Sequence, residues 1–148
     1  MLSTNDKALD ASPNEGGRAC DSRRVLIVDD EPNILKLFKT LISISLPDVQ
    51  VDLAVNGADA VERFERFHEA VILMDLYMPV MTGQRAFQRI EQMCSEKGWA
   101  MPSVIFCTGY APPEAVCSVV HEGSRHRLLQ KPVSAERLVE NVKAAFPS

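Results

Sequence analysis

Several short apolar runs of the sequence are each followed by a polar residue whose side chain could take part in chemistry. These residues and the runs before them are Asp29 and Asp30 after residues 25–28, Asp75 after residues 71–74, Thr108 after residues 104–107, and Lys131 after residues 128–130. In an open α/β sheet, ligands bind beyond the carboxyl ends of the parallel strands. If the apolar runs are such strands, these side chains converge on one crevice.

The aspartates are the first candidates for a metal site. Three carboxylates in one crevice repel one another and need a positive counter-charge. Mg²⁺ prefers oxygen ligands, keeps several waters and typically binds one or two carboxylates together with phosphate oxygens. We therefore expect Asp30 and Asp75 to bind Mg²⁺, with Mn²⁺ as an alternative ion, and Asp29 to act through water.

Asp75 is also the candidate nucleophile. A carboxylate can attack phosphorus to form an aspartyl phosphate. Lys131 would then supply a fixed positive charge and Thr108 a hydroxyl for the phosphoryl oxygens. Taken singly, an aspartate pair often caps a helix, a lysine is usually solvated, and a threonine is common in turns. Their joint occurrence at successive strand ends favours the phosphoryl interpretation.

Strands and helices must alternate along the chain to position these residues. The predicted strands are residues 25–28, 51–55, 71–74, 104–107 and 127–129. Between them, apolar residues recur at helical spacing, as at Ile34, Leu37, Phe38 and Leu41. Helix starts are indicated by Thr82, by the Pro112–Pro113 pair and by Ser134. The pattern predicts a flavodoxin-like (βα)5 doubly wound parallel sheet, and the strand order 2-1-3-4-5 is the fold-level expectation.

Length and composition limit the classes of protein to consider. A chain of 148 residues fits one domain with its own core. Residues 1–22 contain few apolar side chains, so we expect a flexible tail followed by a folded domain over residues 23–148. A net charge of −4 gives no basic surplus for nucleic acid. No apolar run is long enough for a membrane span or a secretion signal, so a cytoplasmic location with reduced cysteines is expected.

Four segments around the chemical residues read VLIVDDEPNIL, VILMDLYMPVMTG, VIFCTGYA and LLQKPVS. They resemble the motif blocks of response-regulator receiver domains, and the resemblance covers roughly residues 23–147. It implies phosphotransfer from a histidine kinase or a histidine phosphotransfer protein to Asp75, followed by slow self-catalysed hydrolysis. Such a protein is a signalling phosphoacceptor of a two-component or phosphorelay pathway rather than an enzyme, and it switches protein–protein contacts.

The resemblance also implies roles for single residues. It assigns Asp29 and Asp30 to the acidic metal pair, and the backbone carbonyl of Tyr77 to the remaining metal ligand. Thr108 corresponds to the switch hydroxyl and Lys131 to the lysine that contacts the phosphoryl group. The Lys131–Pro132 peptide bond is expected to be cis, which costs little before proline.

The chain departs from the family pattern in its last connection. Receivers usually carry a Tyr or Phe switch residue at the position of Leu128. A leucine that moves less, another group such as Tyr110, or a response confined to loops could replace it. The segment 124–127, which contains Arg125, His126 and Arg127, is unusually basic and is either a solvated loop or an altered docking surface.

The sequence also indicates how the predicted domain could contact other proteins. The predicted fifth helix runs to the end of the sequence, so we expect output through contacts with a downstream protein. Leu35 and Ile42 could form an apolar patch for a kinase or phosphotransfer partner, or be scattered surface residues. His68, His121 and His126 lack a metal-ligand spacing and are interpreted as surface or boundary residues.

The main alternative is a pseudo-receiver that binds partners without phosphorylation. A phosphatase of the haloacid-dehalogenase type would need a DxDx[TV] block after the first strand, where this chain has DDEPN. No GxxxxGK[ST] segment follows a strand, which argues against a nucleotide-binding site.

Overall fold

A computed structural model describes residues 18–121 and 123–147. In chain order, the elements are β1 (Asp21–Val28), α1 (Pro32–Ser45), β2 (Gln50–Ala54), α2 (Gly57–Phe67), β3 (Glu69–Asp75), α3 (Gly83–Lys97), β4 (Ser103–Thr108), α4 (Glu114–Val119), β5 (Arg127–Gln130) and α5 (Ala135–Ala145). The strands form one parallel sheet in the order β2-β1-β3-β4-β5. The predicted flavodoxin-like fold and its strand order are confirmed.

Helices cover both faces of the sheet, because successive strand side chains point to opposite faces. On one face, Leu26 and Val28 of β1 belong to a core that includes Phe64 of α2 and Phe87 of α3. On the other face, the alternate β1 side chains belong to a core that includes α1 and α5 residues such as Phe38 and Leu138. The central strands are buried from both sides, as their continuous apolar runs predict.

Side-chain caps start three of the helices. Asn56 accepts a hydrogen bond from Asp59 N at 2.8 Å at the start of α2. Thr82 accepts one from Arg85 N at 3.2 Å, and Ser134 accepts one from Arg137 N at 3.1 Å. Each cap satisfies a backbone donor that has no partner within its own helix. The predicted starts at Thr82 and Ser134 are confirmed.

The buried side of α1 differs from the predicted one. Leu35, Phe38 and Ile42 are buried, whereas Leu37 is 50% exposed. Leu35 and Ile42 therefore belong to the core, and the interpretation that they form a surface patch is wrong. Apolar residues occupy so many positions of this helix that periodicity alone could not fix which side packs on the sheet.

The chain is joined to the fold before the predicted boundary at residue 23. Ala100 N donates a hydrogen bond to Arg18 O at 2.9 Å, and β1 begins at Asp21. Residues 1–17 of the predicted tail lie outside the described residues, and the division into tail and domain stays a prediction. In the part of the chain that the structure describes, no helix has the length and apolar character needed to cross a membrane.

Candidate functional site

The polar residues named from the sequence meet at the carboxyl edge of the sheet. Asp29 follows β1, Asp75 ends β3, Thr108 ends β4 and Lys131 follows β5. One carboxylate oxygen from each of Asp29, Asp30 and Asp75 lies within 4.8 Å of the others. The structure thus places the three predicted metal-binding carboxylates in one cluster.

Asp29 is held in place by its own loop. Its side chain is almost fully buried, and its Oδ1 accepts a hydrogen bond from Glu31 N at 2.9 Å. Its backbone N donates to Ala54 O of β2 at 3.2 Å. With Oδ1 bound to the backbone, Oδ2 is the oxygen that faces the centre of the crevice, where it accepts a hydrogen bond from Lys131 Nζ at 3.0 Å.

Lys131 places its ammonium group between two carboxylates. Nζ lies 3.0 Å from Asp29 Oδ2 and 3.4 Å from Asp75 Oδ2. Burial alone would lower the pKa of Lys131, but the hydrogen bond that Lys131 donates to Asp29 and the charges of Asp29 and Asp75 outweigh it and raise the pKa. The lysine therefore stays charged, and the cis Lys131–Pro132 bond predicted from the sequence is confirmed.

Asp75 is partly withdrawn from water at the end of β3. Burial raises its pKa, Lys131 opposes this rise, and the charge of Asp29 adds to it. Behind Asp75 the chain turns tightly, with Gly83 N donating to Leu76 O at 2.8 Å. A Cβ atom at Gly83 would overlap the backbone carbonyl of Asp75, so the glycine allows α3 to begin directly beside this residue.

Thr108 lies at the end of β4 with 1% of its surface exposed. Its Oγ1 accepts a hydrogen bond from Tyr110 N at 3.2 Å, and its carbonyl accepts one from Lys131 N at 2.9 Å. The hydrogen bond from Tyr110 N therefore fixes the position of the threonine hydroxyl relative to the β4–α4 loop.

Two tyrosines meet across the mouth of the crevice. The rings of Tyr77 and Tyr110 pack edge to face with centroids 5.7 Å apart, and Tyr77 Oη donates to Ala111 O at 2.8 Å. Both rings are exposed. The contact with Ala111 could not be predicted from the sequence, because it depends on the backbone of two loops that periodicity does not describe.

Leu128 occupies the position at which receivers usually carry an aromatic residue. It pairs with Phe106 across the β4–β5 ladder and packs, partly buried, against the core shared by α2 and α3. It therefore has a fixed environment in the sheet, and its role as a switch residue stays a prediction.

The basic segment before β5 is bonded to the rest of the fold. Arg125 Nη1 donates to Met101 O at 2.6 Å, and His126 Nδ1 accepts a hydrogen bond from Val104 N at 3.1 Å. Burial, with a smaller effect of Arg125, lowers the pKa of His126 to about 4. His68 is buried with 1% of its surface exposed, so its interpretation as a surface or boundary residue is wrong.

Comparison with known proteins agrees with this geometry. Residues 25–143 match the model of the response regulator receiver domain. The chain is 28% identical over 121 residues to the chemotaxis protein CheY of Bacillus subtilis, a match that covers 82% of this chain and 95% of that protein. It is 34% identical over 101 residues to the regulatory protein AtoC of Escherichia coli, covering 68% of this chain and 20% of AtoC.

Solved structures give the same class. The signal receiver domain of a putative Luxo repressor protein from Vibrio parahaemolyticus superimposes with a TM-score of 0.71 at 26% identity, covering 84% of this chain and 89% of that one. The chain belongs to the response regulator receiver family of two-component systems. Receiver domains bind Mg²⁺ at an acidic pocket, and the all-oxygen cluster of Asp29, Asp30 and Asp75 fits such an ion.

Proposed function

We propose that this protein is a phosphoacceptor that receives a phosphoryl group on Asp75 from a phosphohistidine of a histidine kinase or a histidine phosphotransfer protein. Phosphorylation would switch its contacts with a downstream protein. The observation that carries the proposal is the position of Lys131 Nζ between Asp29 and Asp75, inside a cluster of three carboxylates. This arrangement combines a nucleophile, a fixed cation and oxygen ligands for a divalent ion at one point.

The proposed transfer begins with attack of an Asp75 carboxylate oxygen on phosphorus. The new O–P bond forms as the P–N bond to the donor histidine breaks, and the electron pair of that bond returns to the imidazole nitrogen. Lys131 contacts a phosphoryl oxygen, and the Thr108 hydroxyl turns toward another. Bound Mg²⁺, held by Asp30, Asp75 and the Tyr77 carbonyl with Asp29 acting through water, would neutralise charge on the transferring group.

A small phosphodonor tests the chemistry without a partner protein. The full chain is incubated with Mg²⁺ and acetyl phosphate and its intact mass is followed. We expect one phosphoryl adduct, which is lost in Asp75→Asn and in the presence of a metal chelator. Asp48→Asn is the matched control, because Asp48 is an exposed aspartate in the α1–β2 loop, and this variant should still form the adduct.

The same experiment addresses the pseudo-receiver alternative. That alternative is supported by Leu128, since the usual aromatic switch residue is missing. If no adduct forms, beryllofluoride binding in the presence of Mg²⁺ separates two cases. Binding would indicate a site that requires a kinase as donor, whereas no metal-dependent response would favour a phosphorylation-independent binding module.

A further inference from the structure

A set of contacts links Thr108 to the protein surface. The hydrogen bond between Tyr110 N and Thr108 Oγ1 joins the threonine to the β4–α4 loop. The ring contact between Tyr77 and Tyr110, together with the bond from Tyr77 Oη to Ala111 O, joins that loop to the β3–α3 loop. We refer to Tyr77, Tyr110 and the Ala111 carbonyl as the tyrosine latch.

We propose that the tyrosine latch carries the phosphorylation signal from Thr108 to the surface, in the place of the missing aromatic residue at position 128. This inference rests on the proposed function, since it assumes that Asp75 is phosphorylated. It assigns a positioning role to Tyr77 and Tyr110 together, whereas the sequence named only Tyr110 as a possible replacement for the switch residue.

The first step takes place at the Thr108 hydroxyl. Because Thr108 is 1% exposed, its side chain has no room to move into solvent, and its hydroxyl can be redirected only within the crevice. When that hydroxyl turns toward a phosphoryl oxygen on Asp75, its geometry toward Tyr110 N changes. The Tyr110 N–H, which is partly buried in this hydrogen bond, then needs another acceptor in the protein or in water, and we infer that the β4–α4 loop shifts to provide one.

The second step takes place between the two loops. Tyr110 and Ala111 are neighbours in the chain, and both contact Tyr77. A shift of this short segment therefore changes the ring contact and the hydroxyl bond of Tyr77 together. Tyr77 is 43% exposed and Tyr110 is 72% exposed, so the change alters a surface that a partner protein can contact.

Leu128 is poorly suited to the same task. Its side chain has no hydrogen-bonding group, and it packs against the core from a central position in β5. Moving it would disturb packing against that core, whereas the tyrosine latch can open without creating a cavity. Opening the tyrosine latch therefore costs less free energy than moving Leu128, and it links Thr108 to the surface.

Fluorine NMR tests the latch directly, because the chain has two tyrosines. The full chain is labelled with 3-fluorotyrosine, and the two resonances are assigned with Tyr77→Phe and Tyr110→Phe. We expect both resonances to move when Mg²⁺ and acetyl phosphate are added, and neither to move in Asp75→Asn. Intact mass is measured on the same samples.

The two measurements separate failure of the inference from failure of the proposed function. An adduct with unchanged tyrosine resonances would overturn the latch while leaving phosphorylation established. Failure to form an adduct, together with no Mg²⁺-dependent binding of beryllofluoride, would overturn both the proposed function and the coupling that depends on it. If beryllofluoride binds although no adduct forms, the tyrosine resonances are compared with and without beryllofluoride, and unchanged resonances would overturn the latch alone.

A threonine variant distinguishes the latch from a direct effect of phosphoryl charge on Tyr77. Thr108→Ala keeps Asp75 and removes the hydroxyl that accepts from Tyr110 N. We expect the phosphorylated variant to lose the movement of the Tyr110 resonance. If this resonance moves as far as in the wild-type protein, the hydroxyl does not transmit the signal and the inference is wrong.

The coupling must also act in reverse, because linkage between two sites is reciprocal. If the latch holds the resting conformation, removing its hydroxyl bond makes the switched conformation easier to reach. Tyr77→Phe should therefore bind beryllofluoride with Mg²⁺ about twofold to about tenfold more tightly, as one hydrogen bond would give.

Tyr110→Phe is the matched control for this affinity measurement. It keeps the ring of Tyr110 and both contacts that define the latch, so its affinity for beryllofluoride should equal that of the wild-type protein. Calorimetric titration gives the affinities. Equal affinity of Tyr77→Phe and the wild-type protein would contradict the proposed coupling.

Discussion

Buried ionisable groups have opposite surroundings at the two ends of the sheet. At the carboxyl edge, Lys131 lies within hydrogen-bond distance of Asp29 and Asp75, and charges face opposite charges. At the amino edge, neighbouring His68 and Glu69 have 1% and 0% of their surfaces exposed. Among residues 18–121 and 123–147, their side-chain polar atoms have no hydrogen-bond partner.

The pKa values of these groups follow the difference in surroundings. Burial, with a smaller contribution from Arg18, lowers the pKa of His68 to about 4. Burial and then the nearby Asp52 carboxyl group raise the pKa of Glu69 to about 8. Both residues at the amino edge are therefore predominantly neutral at pH 7, whereas Lys131 at the carboxyl edge keeps its charge.

The difference shows that charged groups are kept at the edge where the proposed chemistry takes place, whereas the groups buried at the other edge are neutral. A buried charge is costly unless it is paired, so a purely structural region is more stable with neutral groups. Arg24 already binds Asp52 through two hydrogen bonds of 2.7 and 2.9 Å, and the Asp52 carboxylate repels a negative charge on Glu69. The carboxyl edge instead retains charges, which phosphoryl transfer requires.

Removing the cation at the carboxyl edge should have the largest effect on stability. Lys131→Met leaves Asp29 and Asp75 without their counter-charge and should lower the free energy of unfolding by about 1–3 kcal/mol, less than for a fully buried pair. Urea unfolding with a chelator present measures this loss, and added Mg²⁺ should restore part of it. Lys36→Met, at an exposed position of α1, is the control, and equal stability of the two variants would refute the comparison.

At the amino edge, the expected effect of Glu69 depends on pH. Its pKa in the folded protein, about 8, exceeds the ordinary value of 4.5. Its contribution to stability is therefore complete below pH 4.5 and is lost as the pH rises through about 8, with a slope approaching about 1.4 kcal/mol per pH unit. Glu69→Gln should remove this slope in unfolding measurements. Exposed Glu62→Gln should keep it, and an unchanged slope in Glu69→Gln would place the Glu69 carboxyl in water.

His68 should show the opposite dependence on pH. Its pKa in the folded protein lies below the ordinary value of 6.5, so its contribution to stability is present above pH 6.5 and is lost as the pH falls toward about 4. Histidine NMR signals measured as a function of pH check this directly. We expect the His68 signal to stay at its neutral position at pH 6, and a midpoint near 6.5 would contradict burial of the ring.

The smallest expected effect concerns Tyr77, which lies beside the proposed phosphoryl group. Its ring should slow the approach of water, so Tyr77→Ala should shorten the phosphoryl lifetime several-fold, equivalent to about 1 kcal/mol in the barrier to hydrolysis. The lifetime is followed by intact mass after the donor is removed. Tyr77→Phe keeps the ring and should retain the wild-type lifetime, and an unchanged lifetime in Tyr77→Ala would exclude shielding.

Much of the carboxyl edge could be predicted from the sequence. Each chemical residue there follows an apolar run, and the carboxyl ends of parallel strands meet along one edge of the sheet. The convergence of Asp29, Asp75 and Lys131 therefore needed only the assignment of strands. The contact between Tyr77 and Tyr110 could not be predicted, since it depends on the conformations of two loops.

The amino edge was harder to predict for a physical reason. The predicted strand covers residues 71–74 and leaves out Glu69, yet β3 begins with this residue. Charged residues are usually exposed, and no sequence pattern signals that Trp99 and Phe64 enclose His68. The buried side of α1 was predicted wrongly because apolar residues occupy most of the circumference of that helix.

The tryptophan and the two tyrosines lie at opposite edges of the sheet, so their spectroscopic signals report on different regions. The single tryptophan, Trp99, lies at the amino edge with its ring centroid 4.6 Å from that of His68. Both tyrosines lie at the opposite edge. Tryptophan fluorescence, excited at a wavelength that tyrosine does not absorb, therefore reports on the amino edge. Changes in tyrosine absorbance report on the mouth of the crevice. Unlabelled protein thus carries separate probes for its two ends, and loss of structure at one end can be distinguished from switching at the other.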